Sequence, residues 1–176
     1  TQISKDNPKG NITSAASAAG IIKAMNHVND KMPQIKTLVV DDWQYMSSFE
    51  YFERANEKGY DKFTQIAANL AQVAKMPKDM RDDLTVIFLT HSEDSTDING
   101  NRKVKAKTIG KMIDNTLTLE GLFSIVLFGK VVKDENDKLN YVFETVNNGE
   151  NTCKSPAGMF DDARIDNSLK VVKDAI

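Results

Sequence analysis

Apolar residues recur at helical spacing through Ala18, Ile21, Ile22, Met25 and Val28, and Pro33 closes the segment. A helix is expected there, capped by Ser14 or Ser17. The next apolar run, Ile35 to Val40, is short and β-branched and ends in Asp41 and Asp42, the pattern of a buried parallel strand. From Trp43 to Tyr60 aromatic and polar residues alternate irregularly. Phe63, Ile66, Ala67, Leu70, Val73 and Ala74 then form one stripe, predicting a helix capped by Asp61 and closed by Pro77. Leu84 to Thr90 is a second continuous apolar strand, ending at His91, Ser92 and Glu93. Asp94 to Lys107 reads as a polar loop, and Thr108 to Asn115 as a short helix. Gly121 to Val132 is expected as a third strong strand. A hairpin through Asp134 to Lys138 leads into Tyr141 to Val146, and Asn147-Asn148-Gly149 reads as a turn.

Strands alternating with helices predict an α/β fold: a mostly parallel sheet flanked by helices, with the late antiparallel hairpin at its edge. The 176 residues, 40% of them hydrophobic, suffice for one substantial core, so a single domain over 1–176 is expected. Neither repeats nor low-complexity tracts interrupt it.

Charge narrows the function classes. Lys and Arg number 23 against 25 Asp and Glu, and a net charge of −2 provides no global field for nucleic acid or anionic membranes. The apolar runs are far shorter than the roughly 18 residues of a membrane helix. A soluble protein is expected, and the single Cys153, which excludes an internal disulfide, points to a reducing cytoplasm. Residue 1 is Thr, and the opening to Asn11 is polar, as in a processed or truncated product.

Ligands of open α/β sheets bind at the carboxyl ends of the strands, where this chain places Asp41-Asp42 and His91-Ser92-Glu93. An apolar strand ending in an acid has the Walker B pattern, whose carboxylate holds Mg²⁺ directly or through water; strands ending in an Asp that merely caps a turn look the same. His91 reads as a nucleotide sensor or as a structural histidine. Arg102, Lys103, Lys105 and Lys107 place four cations within six residues, suited to nucleic-acid phosphates or to a solvated hairpin tip. The aromatics Trp43, Tyr45, Phe49, Tyr51 and Phe52 suit base stacking, a subunit interface or plain core. No G-x-x-x-x-G-K-[ST] phosphate-binding loop occurs anywhere.

The segments LVVDDWQYM, EKGYDKFTQIA, VIFLTHSE, KAKTIGKMIDN, LEGLFSIVLFGKV and NNGENTCKSPAGMF, in this order over about residues 35 to 160, resemble the phage-encoded RecA-like P-loop ATPases that accompany single-strand annealing recombination. The resemblance implies ATP and Mg²⁺ as ligands, single-stranded DNA and an annealing or single-strand-binding protein as partners, and a homo-oligomer in a bacterial host cytoplasm. It gives Asp41 the Walker B role, with Asp42 beside it as a supporting or water-orienting acid, and makes His91 the polar sensor. Ser47 to Tyr60 and Ser92 to Lys107 correspond to the two DNA-binding loops. Lys154, in Lys-Ser-Pro-x-Gly-Met-Phe, falls where such proteins present a cation to a neighbouring subunit's nucleotide; an ordinary loop lysine is the alternative. The missing Walker A strand and loop imply a truncated core, inactive alone. Two rival functions stand beside this one: a non-catalytic binding or assembly module of a recombination complex, and a metal-dependent nuclease using Asp41, Asp42 and Glu93.

Overall fold

Ser17 sets the first element in place. Its backbone is extended, and its Oγ accepts from Gly20 N at 3.2 Å, satisfying one of the donors left free at a helix start. Helix α1 (Ala18–Lys31) follows and buries Ile21 and Met25. The computed structural model describes residues 11–96, 98–109 and 117–176. They fall into two compact units, one formed by the described residues up to His91 with Thr108, Ile109 and Leu117, and the other by Ser92–Lys107 with Thr118–Ile176.

In the first unit, strands β1 (Thr37–Val40) and β2 (Thr85–Phe88) pair in parallel, Thr37 opposite Thr85 and Val40 opposite Phe88. The ladder runs one step further, Leu89 N donating to Val40 O at 3.0 Å. Helix α2 (Tyr45–Glu53) begins directly after β1, inside the stretch whose irregular pattern predicted no element. Helix α3 (Asp61–Lys75) carries the expected stripe, with Ile66 and Val73 completely buried and Leu70 nearly so. Each such side chain contributes about 1.5–3 kcal/mol through burial, and α3 packs against both α1 and α2. Tyr60, not Asp61, occupies the cap position, and Asp61 lies in the first turn, where its charge complements the helix dipole. A 3-10 turn, Met76–Asp79, takes in Pro77.

The second unit opens with a hairpin where a loop was expected. Strands β3 (Ser92–Thr96) and β4 (Arg102–Ala106) pair antiparallel, Glu93 opposite Lys105. Their polar residues hide the strands from a hydrophobicity reading. Strands β5 (Phe128–Lys133), β6 (Leu139–Glu144) and β7 (Arg164–Asp166) form an antiparallel sheet in the order β5-β6-β7, followed by helix α4 (Leu169–Asp174).

The architecture is mixed α/β, as expected, but the described residues form small separate sheets and not one mostly parallel sheet. Among the described residues only β1 and β2 pair in parallel. The stretch Gly121–Val132 does not join them. Its start belongs to a 3-10 turn, Leu119–Leu122, Val126 makes one bridge to Lys154, and its end is β5. A tight hairpin, in which Asp134 Oδ1 accepts from the Asn136 and Lys138 amides at 2.9 and 3.0 Å, folds β6 back on β5. Local antiparallel pairing of this kind needs no long crossover. The late hairpin therefore belongs to a sheet of its own instead of edging a parallel one. From residue 110 onward the helix expected over Thr108–Asn115 lies outside the described residues. No helix among them is long and apolar enough to cross a membrane.

Candidate functional site

Trp43 anchors the end of β1. It is 2% exposed, and its ring meets Phe88 of β2 edge-on at 4.9 Å. Just before it the chain turns sharply, because Asp42 has φ +50°, a left-handed conformation that Asp tolerates better than most residues. Tyr45 N then donates to Asp42 O at 3.0 Å, and α2 starts.

This turn brings together residues from two strand tips. His91, three residues past Phe88, places Nε2 3.2 Å from Asp42 Oδ1, both side chains being more than half exposed. Gln44 Nε2 donates to the same oxygen at 3.4 Å, and the Tyr45 ring stands edge-on to the imidazole at 5.9 Å. Asp41 is exposed beside them. Of the residues singled out from the sequence, Asp42 and His91 meet. Tyr45, singled out as one of the aromatics, stands beside them; Gln44 was missed, although a polar residue between the apolar Trp43 and Met46 was a usable signal.

The structure brings the Asp42 carboxylate and the His91 imidazole together, with the exposed Asp41 next to Asp42 in the chain. Among the described residues no cluster of three or more His, Cys, Asp or Glu suits a metal ion. Two hard oxygen ligands fit Mg²⁺, which keeps several waters and shares its remaining positions with substrate phosphates. They do not make an all-protein cage.

The other candidates lie in the second unit. Arg102 pairs with Asp94 at 2.9 Å, Lys105 with Glu93 at 3.3 Å, and Lys103 Nζ donates to Gly149 O. The hairpin sets acids beside Arg102 and Lys105, and a backbone carbonyl takes Lys103, so three of the four cations have partners within the fold; Lys107 is exposed. Glu93, named for the nuclease reading, carries its charge against Lys105. Lys154 is held by its backbone, exchanging hydrogen bonds with Val126 at 2.8 and 3.0 Å. Cys153 is 3% exposed, and burial pushes its thiol up to about 11. The centre of this unit's polar network is Glu144. Its Oε2 accepts from Asn151 at 2.7 Å, and its Oε1 faces Lys130 at 3.3 Å and Arg164 at 3.2 Å.

Comparison with protein-family models, curated proteins and solved structures finds no significant match.

Proposed function

We propose that the first unit supplies the metal and γ-phosphate side of a nucleotide site in a RecA-like phage recombination ATPase acting on single-stranded DNA. The carrying observation is the 3.2 Å contact between His91 Nε2 and Asp42 Oδ1 at the carboxyl ends of two adjacent parallel strands. In this reading Asp41 holds Mg²⁺ directly or through water, and Asp42 orients water beside it. When bound, Mg²⁺ neutralises charge on the phosphate oxygens. His91 is 56% exposed in its side chain and reachable by a phosphate oxygen, which competes with Asp42 for Nε2 and so reports nucleotide. The reading requires a phosphate-binding loop, and residues 1–176 contain no G-x-x-x-x-G-K-[ST] motif to supply one. Arg102, Lys103, Lys105 and Lys107 meet DNA phosphates, and Lys154 faces a neighbouring subunit's nucleotide in the oligomer.

The test is the reading frame upstream of Thr1. A glycine-rich loop ending in Gly-Lys-Ser or Gly-Lys-Thr is expected there, and the Asp41→Ala variant of that protein loses Mg²⁺-dependent ATP hydrolysis. Absence of the loop, or undiminished hydrolysis by the variant, sinks the proposal.

A second reading, a non-catalytic assembly module, is supported by the aromatic surface of the first unit. Phe52 and Tyr60 are 70% and 77% exposed beside Tyr51 and Phe63. Large exposed aromatics of this kind mark contact surfaces. This reading predicts partner binding that is indifferent to nucleotide.

A further inference from the structure

Gln44 is only 6% exposed, at the head of α2. Its Oε1 is buried without a hydrogen-bond partner among the described residues, as is Ser47 Oγ one turn later. An unsatisfied buried oxygen costs stability, and a methionine of similar size fills the same space without that cost. Packing therefore does not account for an amide at this position. Its one side-chain hydrogen bond among the described residues goes to Asp42 Oδ1, at 3.4 Å. An ionised carboxylate only accepts, so the amide must turn Nε2 toward Asp42 and Oε1 inward. The acceptor's own backbone sits at φ +50°. Local costs of these two kinds, a left-handed backbone and an orphaned buried oxygen, gather where function demands a fixed geometry.

We infer that Gln44 is a positioning residue for Asp42: with His91 it clamps Oδ1, leaving Oδ2 and the Asp41 carboxylate open to a divalent cation and its waters. The inference rests on the proposed role of Asp41 and Asp42 as the cation side of the site. Partners that orient metal ligands in this way govern affinity as well as geometry.

Mn²⁺ serves as the probe, titrated into the chain and followed by the electron paramagnetic resonance of free Mn²⁺. Selective broadening of the indole N–H resonance of Trp43, the single tryptophan, locates the bound ion. Wild type is expected to bind and to broaden that resonance, and the Asp41→Asn/Asp42→Asn double variant to lose both effects. Gln44→Met is expected to bind Mn²⁺ about tenfold or more weakly, with a thermal midpoint equal to or above that of wild type. A purely supporting residue lowers the midpoint instead, so Gln44→Met with lowered midpoint and lowered affinity together overturns the inference. Wild-type affinity in Gln44→Met overturns it as well and leaves the cation site standing. If wild type fails to bind Mn²⁺, or binds it as the double variant does, the cation site falls and takes the role of Gln44 with it.

Discussion

Arg81 caps the end of α1 from more than fifty positions away: its backbone N donates to Asn29 Oδ1 at 2.9 Å, and its Nη1 donates to Asn29 O, also at 2.9 Å. The same guanidinium reaches Val28 O at 2.9 Å, Met32 O at 3.3 Å and Ile35 O. Carbonyls of the last helical turn and of the segment after it, Val28 O and Met32 O among them already accepting from backbone amides, find further donors here in one planar group. Arg81→Ala should destabilise the protein by about 2–4 kcal/mol, and Asn29→Ala by about 1 kcal/mol. Urea unfolding of both variants checks the order; equal small losses would mean that water replaces the guanidinium freely.

Lys62 does similar work between α2 and α3. Its ammonium, on a residue 9% exposed, donates to the carbonyls of Arg54, Ala55 and Glu57 at 3.2, 3.5 and 3.0 Å. It also lies 5.5 Å from the ring centres of Tyr51 and Phe63. Lys62→Met keeps the stem and removes all three donors, so a loss of about 2–3 kcal/mol is expected. Hydrogen exchange should accelerate first between residues 54 and 60.

Glu144 makes the second unit sensitive to acid. Burial alone pushes its carboxyl up, but hydrogen bonds from Asn151, Lys130 and Arg164 outweigh it and hold the group below its ordinary 4.5. A depressed carboxyl contributes stability that is complete above the ordinary value and is lost as pH falls through the folded one. Thermal midpoints of wild type should therefore drop more steeply below pH 4.5 than those of Glu144→Gln, which starts about 1–3 kcal/mol less stable at neutral pH. Parallel pH profiles would refute this.

Cys153 should be inert in the folded protein. With its thiol pushed up to about 11 from 9.0 by burial, the thiolate at pH 8 is roughly a hundredfold scarcer than for an ordinary cysteine. Reaction with a disulfide reagent is expected to be slow until denaturant is added. Prompt labelling of native protein would show the site to be open.

The β3–β4 hairpin provides a test by salt. Arg102 and Asp94 are 70% and 64% exposed in their side chains, and such a pair contributes about 0–1 kcal/mol. Arg102→Ala should leave the thermal midpoint nearly unchanged, while each cation that meets DNA lowers the salt slope of oligothymidylate binding by about 1 when removed. Removing Lys103 and Lys107 with no change in slope would take the hairpin out of the DNA contact.

How far the chain was legible depends on the range of the interactions. The α1 and α3 stripes, Ile21 with Met25 and Ile66 with Leu70 and Val73, were readable because helical burial repeats within a few residues. Strands β1 and β2 were readable as apolar runs, and their ends as places for acids and a histidine. Strand β3 was not, since Ser92–Thr96 contains no apolar residue and takes its structure from its partner.

What the sequence determined by itself, then, were the elements whose burial is periodic along the chain and the polar residues at strand tips. Only the tertiary structure decided that Val40 pairs with Phe88, which brings His91 to Asp42, and that Phe128–Lys133 folds onto its own hairpin instead of entering the parallel pair. Continuous apolar runs carry no mark of partner or direction. The register that joins Asp42 to His91, and the buried amide of Gln44 behind them, arise from contacts between segments that local pattern does not link.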